Sequence, residues 1–135
     1  MTPKEYLQRY KTAQKEAEDV ELRITQLRLR YAAPSAIEYS DMPRAHDSEH
    51  DLSDYMAKMD ELTSYLVEKY KRCMGIEVDI YQRLDSMDRQ EEREVLRYRY
   101  IDGMTWEQIA QRTGYVLRHI YRLHGNALQN FPLPE

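Results

Sequence analysis

Arg118, His119, Tyr121, Arg122 and Asn126 fall close together on the polar side of one helical repeat. Arginine can hold a guanine edge through two hydrogen bonds, and asparagine can do the same for adenine. The chemistry on offer is recognition rather than bond-making. The chain has no glycine-rich phosphate loop, no paired-cysteine metal spacing and no credible nucleophile set. No catalytic residue, metal site or cofactor is therefore expected. Two arginines four apart also make an ordinary solvated helix face, so the pattern needs the elements around it to carry meaning.

Those elements read as two helices joined by a sharp turn, Thr105 to Leu128. Thr105 is an N-cap type, and Gln108 three residues later completes a capping box. Trp106, Ile109 and Ala110 follow at helical spacing. Gly114 suits the left-handed conformation that ends the first helix. A second amphipathic run places Leu117, Ile120, Leu123, His124, Ala127, Leu128 and Phe131 on one broad face. Small Ala110 permits the close crossing, and Ile109, Tyr115, Ile120 and Leu123 are expected to seal the angle. His124 belongs to the packed side. The expectation is a helix-turn-helix whose second helix enters the major groove of double-stranded DNA, with Thr105, Arg112 and Arg99 joining the contacts.

Upstream, Asp88 with Glu91 predicts a second capping box and a helix from Arg89 to about Ile101, with Val95, Leu96, Tyr98 and Ile101 packed beneath. Arg97 or Arg99 would touch phosphate, which positions without specifying. This helix, the Asp102-Gly103 turn and the two helices after it resemble region four of bacterial sigma factors. Val95-Leu96-Arg97-Tyr98-Arg99-Tyr100, Trp106-Glu107-Gln108-Ile109-Ala110, Gly114, Ile120-Tyr121-Arg122 and Ala127-Leu128 carry the resemblance, over roughly residues 88–131. The layout of the whole chain is similar to a small phage-encoded family related to the RinA and ArpU late-gene regulators. The segment Asp51-Leu52-Ser53-Asp54-Tyr55-Met56 adds weakly to that likeness. The resemblance implies sequence-specific DNA binding, with RNA polymerase as a further partner, in a bacterial host's cytoplasm. One position departs: Val116 stands where the pattern carries serine, and valine cannot cap a helix with its side chain.

Charge is distributed in keeping with this. The 135 residues carry a net charge of −4. Residues 1–87 hold 13 Lys+Arg against 17 Asp+Glu, residues 88–135 hold 7 of each, and the stretch 97–131 reaches +3. That is modest for a DNA binder and implies few phosphate contacts per copy, so a dimer would help. Its two reading helices would sit about 34 Å apart, or a multiple of that.

The preceding region predicts long helices. With 33% charged residues and only 4 glycines, the chain reads as all-α. Its 12 tyrosines suit half-buried helix seams. Tyr6, Tyr10, Ala13, Ala17, Val20, Ile24, Leu27 and Tyr31 alternate by four and three along a helix from Pro3 to about Tyr31. Leu52, Tyr55, Met59, Leu62, Leu66, Cys73, Ile76, Ile80 and Met87 do the same along a second helix, about Leu52 to Leu84, with Lys69 and Arg83 interrupting and Gly75 marking a bend or a close crossing. These seams fit either a coiled coil between chains or a hairpin within one. Residues 32–50 read as a linker in which His46 and His50 are solvated rather than metal ligands. The expected organisation is a long-helix oligomerisation region, 1–87, and a DNA-binding domain, 88–135.

Cys73 is the sole cysteine, which suits a reducing compartment. No apolar run approaches the roughly 18 residues of a membrane helix, and MTPKEYLQRYK lacks a signal-peptide core. A competing reading keeps the helix-turn-helix as a packing unit. The long helices then dock RNA polymerase or a phage assembly partner, as in small terminase subunits.

Overall fold

A computed structural model describes residues 1–32 and 47–135, with side chains placed from residue 51 onward in the second stretch. Most of the expected linker, His46 included, lies outside the described residues, as does the His50 side chain. Every regular element among the described residues is helical. In chain order they are α1 (Pro3–Ala32), α2 (Asp47–Asp85), α3 (Gln90–Leu96), a π-helix (Arg97–Ile101), α4 (Trp106–Thr113) and α5 (Leu117–Asn130). α2 opens five residues before the expected Leu52. Asp47, Glu49 and Asp51 are residue types that favour a helix N-terminus, where anions meet the positive end of the dipole.

The described chain forms two compact units, one of residues 1–14 with 72–135 and one of residues 15–71. In the second unit, α1 and α2 run antiparallel within a single chain. Tyr31 stacks on Tyr55 at 4.0 Å, the Tyr70 hydroxyl donates to Glu21, and Lys69 pairs with Glu16 at 3.2 Å. Lys69 thus breaks the apolar seam of α2 to meet a carboxylate across it. Ala17, Val20 and Ile24 are buried here as their spacing predicts. Leu52 is not: it stays exposed, as do Leu22, Leu29, Met56 and Val67.

In the first unit the opening of α1 and the end of α2 pack on the C-terminal helices. Leu7, Ile80 and Leu96 are fully enclosed, with Tyr6, Ile76, Leu84, Ala127 and Phe131 around them. Each enclosed leucine or isoleucine contributes about 1.5–3 kcal/mol. Cys73 lies in this core as packing. Tyr6 is the junction residue. Its ring meets Phe131 at 5.9 Å, its hydroxyl donates to Asp79, and the Arg83 guanidinium sits 5.3 Å over its face. Arg83 also pairs with Asp79 and donates to the Pro132 carbonyl at 3.1 Å. The second interruption of the α2 seam therefore ties the chain after α5 back to the long helices. A Cβ at Gly75 would meet open space, so no close crossing requires that glycine, and α2 continues through it.

Candidate nucleic-acid interface

The site begins with α3, which starts one residue later than its sequence signal suggests. Arg89 is the N-cap, no side chain caps the helix, and the first helical bond runs from Arg93 N–H to Arg89 O at 3.1 Å. The expected Asp88–Glu91 capping box does not form. Glu92 is turned inward instead and is 2% exposed. Its carboxylate accepts from the Asn130 amide at 3.0 and 3.3 Å and lies 3.9 Å from Arg89. Docking this buried acid on the end of α5 sets where α3 starts. Its acidic neighbours Glu91 and Glu94 are not buried, and nothing in residue type separates Glu92 from them.

The predicted helix does reach Ile101, but its last five residues form a π-helix, closed by Asp102 N–H to Arg97 O at 3.0 Å. The wider turn has a packing reason. Tyr98 and Tyr100 are only two residues apart, and both are buried. Tyr100 joins the core beneath α1 and α2, while Tyr98 joins the small core of the helix-turn-helix. Gly103, at φ 69°, turns the chain toward α4.

The helix-turn-helix is built as its residue types require. The Thr105 hydroxyl accepts from Gln108 N–H at 3.2 Å, and the Gln108 side chain accepts from Thr105 N–H at 2.9 Å, a complete capping box. Gly114 takes φ 78° and donates to Ala110 O at 2.9 Å. α5 follows after two residues, with Val116 at its N-cap and no side-chain cap. Ile109 and Ile120 are fully buried against Tyr98, with Met104, Trp106 and Ala110 packed around them. Tyr115 does not join this seal. It is exposed and meets His119 edge-on at 4.8 Å, because the left-handed turn at Gly114 carries it out of the angle.

The outer face of α5 presents Arg118, Tyr121, Arg122 and Asn126, all exposed. His119 is half-buried at their edge, with Nδ1 2.9 Å from an Arg122 nitrogen. Tyr121 rests edge-on against Trp106 at 5.4 Å, so one side chain of this face is braced by α4. Thr105 is occupied in its cap, and Arg112 is exposed with its guanidinium 5.6 Å from the Tyr98 ring. Arg99 is turned inward: it lies 4.2 Å over Trp106 and donates to Met104 O at 3.0 Å. It holds the turn before α4.

On the packed side of α5, His124 Nε2 lies 2.7 Å from the Tyr100 hydroxyl, and its ring meets Trp106 edge-on at 4.7 Å. Burial pushes its pKa down to about 4, helped by the nearby charges of Lys4 and Arg99. It is a neutral packing residue, as its place on the apolar face predicts.

Residues 84–130 match the family model of sigma-70, region 4. The matched stretch spans α3, the π-helix, α4 and α5, about a third of the chain. No match was found among curated proteins or among solved structures. The module is thus similar to sigma-70 region 4, a DNA-binding helix-turn-helix, and the likeness points to DNA binding in a transcriptional setting. No described helix is long and apolar enough to cross a membrane.

Proposed function

We propose that this protein is a sequence-specific DNA-binding transcriptional regulator, phage-encoded, working in the host cytoplasm as a dimer. The observation that carries the reading is the outer face of α5. Arg118, Tyr121, Arg122 and Asn126 project from a helix whose opposite face is locked by Ile120, Ala127 and the two buried tyrosines. Recognition needs side chains held in register with base edges, and this seam supplies the register. Arg118, Arg122 and Asn126 read bases, while Tyr121 and His119 border them. Thr105 and Arg112 approach the phosphate backbone, and Arg99 acts through Trp106. Residues 88–135 serve as the DNA-binding domain, and the long-helix region 1–87 brings two copies together.

A second reading keeps RNA polymerase or a phage assembly protein as the partner and dispenses with base readout. The exposed Leu22, Leu29, Met56 and Val67 on residues 15–71 favour it, because unpaired apolar side chains on long helices invite a protein surface. The double variant Arg118→Ala with Arg122→Ala decides between the two. Loss of preference for one genomic fragment, with helical circular dichroism unchanged, is the expected result. Undiminished preference in that variant ends the base-readout reading.

A further inference from the structure

The weak positive charge of the helix-turn-helix leaves phosphate contacts to be found elsewhere, and the first unit supplies a place for them. Residues 1–14 pack in the same unit as residues 72–135. Gln8, Lys11 and Gln14 of α1 line an open groove of about 250 Å³ whose other wall is Arg99 to Gly103. Lys4, about two helical turns before Lys11, is near enough to His124 for its charge to act on that ring. Lys4, Gln8 and Lys11 therefore form a row at steps of four and three, each exposed, with Gln8 and Lys11 beside the turn before α4. The other charges of this part of α1 are accounted for. Glu5 caps the helix start by accepting from Thr2 N–H, and Arg9 lies 4.7 Å over the Tyr6 ring. Asp102 on the far wall is paired with Arg97 at 4.0 Å.

We infer that Lys4 and Lys11, with Gln8 between them, are a second contact surface for the phosphodiester backbone of the DNA that α5 reads. The inference rests on the DNA-binding reading and extends it to a helix more than 80 residues away in sequence. Exposed lysines beside a groove that ends at a helix-turn-helix suit a polyanion tracking past the turn. Such contacts add affinity and position without adding sequence preference. They also answer the low charge of the module: two lysines from α1 join Arg112, Arg118 and Arg122 of the helix-turn-helix.

The test is a salt titration of the full chain on the genomic fragment it prefers and on an unrelated duplex. The variants are Lys4→Gln with Lys11→Gln, and Lys4→Arg with Lys11→Arg. Each phosphate contact contributes about 0.9 to the slope of log affinity against log salt. The glutamine pair is expected to lower that slope by about 1.8 on both duplexes and leave their affinity ratio unchanged. The arginine pair restores the slope. An unchanged slope in the glutamine pair, with wild-type binding intact, overturns the inference and leaves the helix-turn-helix reading standing. Wild-type protein that binds neither duplex overturns both.

Discussion

His124 makes stability of the helix-turn-helix sensitive to mild acid. Its ring is half-buried against Tyr100, Trp106 and α5 itself, and the groups that face it are the Tyr100 hydroxyl and the cations Lys4 and Arg99. Burial and the two cations both oppose a protonated imidazole. The pKa falls from 6.5 to about 4 on folding. The unfolded chain therefore binds the proton first. Stability is complete above about pH 6.5 and is lost as pH falls toward 4. At pH 5 the full shift corresponds to about 2 kcal/mol. The ring keeps part of its edge in water, and about 1 kcal/mol is the expected loss. That is a fall in Tm of about 4–8 °C between pH 7 and pH 5 for a unit of this size. His124→Gln keeps a hydrogen-bonding side chain beside Tyr100 and removes the titration. Thermal melts of both proteins across this range give the His124 contribution by difference, which cancels carboxylates such as Asp79. The Asp79 carboxyl is held below its ordinary value by the Tyr6 hydroxyl and Arg83, against the opposing effect of its burial, and so titrates lower in pH. Parallel pH profiles for the two proteins would refute the argument.

Two further substitutions probe the module's construction. Val116→Ser supplies the missing N-cap acceptor at a residue already in extended conformation, with φ −72° and ψ 154°. It is expected to stabilise the chain by about 1 kcal/mol in denaturant titration, and no gain would show that α5 needs no side-chain cap. Ile120→Ala empties the centre of the small core shared by Tyr98 and Ile109, at a cost of about 2–5 kcal/mol. Urea midpoints measure it, and a loss below 1 kcal/mol would mean the core collapses around the gap.

What the sequence makes legible is whatever repeats or caps locally. The Thr105–Gln108 box and the Gly114 turn each follow from residues within a turn or two of one another, and each is present; the seams of α1 and α2 are present except at Tyr31 and Leu52, which stay exposed. The seam pattern also stands for two arrangements, and only contacts such as Lys69 with Glu16 show that the helices pair within the chain. The features that escape reading depend on distant partners. Glu92 is buried because Asn130 arrives from 38 residues away. The π-helix exists because two tyrosines must serve two cores. Tyr115 has the right type and spacing for the seal, yet the turn that Gly114 creates removes it. Arg99 looked free to reach phosphate, but Trp106 stacks beneath it. Arg118 and Arg122, proposed to read bases, stand exposed on α5 where helical periodicity puts them.

The junction at Tyr6 has a consequence for how the chain is made. Tyr6 finds Phe131 only after 125 further residues have been synthesised, about 6–25 s at ordinary ribosomal speed. Residues 15–71 are all available earlier, so their antiparallel pairing can form while the other unit is incomplete. Through that interval Leu7 and Tyr10 have no C-terminal helices to cover them. A transcript cut short before α5 therefore yields a product whose first helix keeps an apolar face open, and such a product is expected to aggregate or be degraded rather than persist.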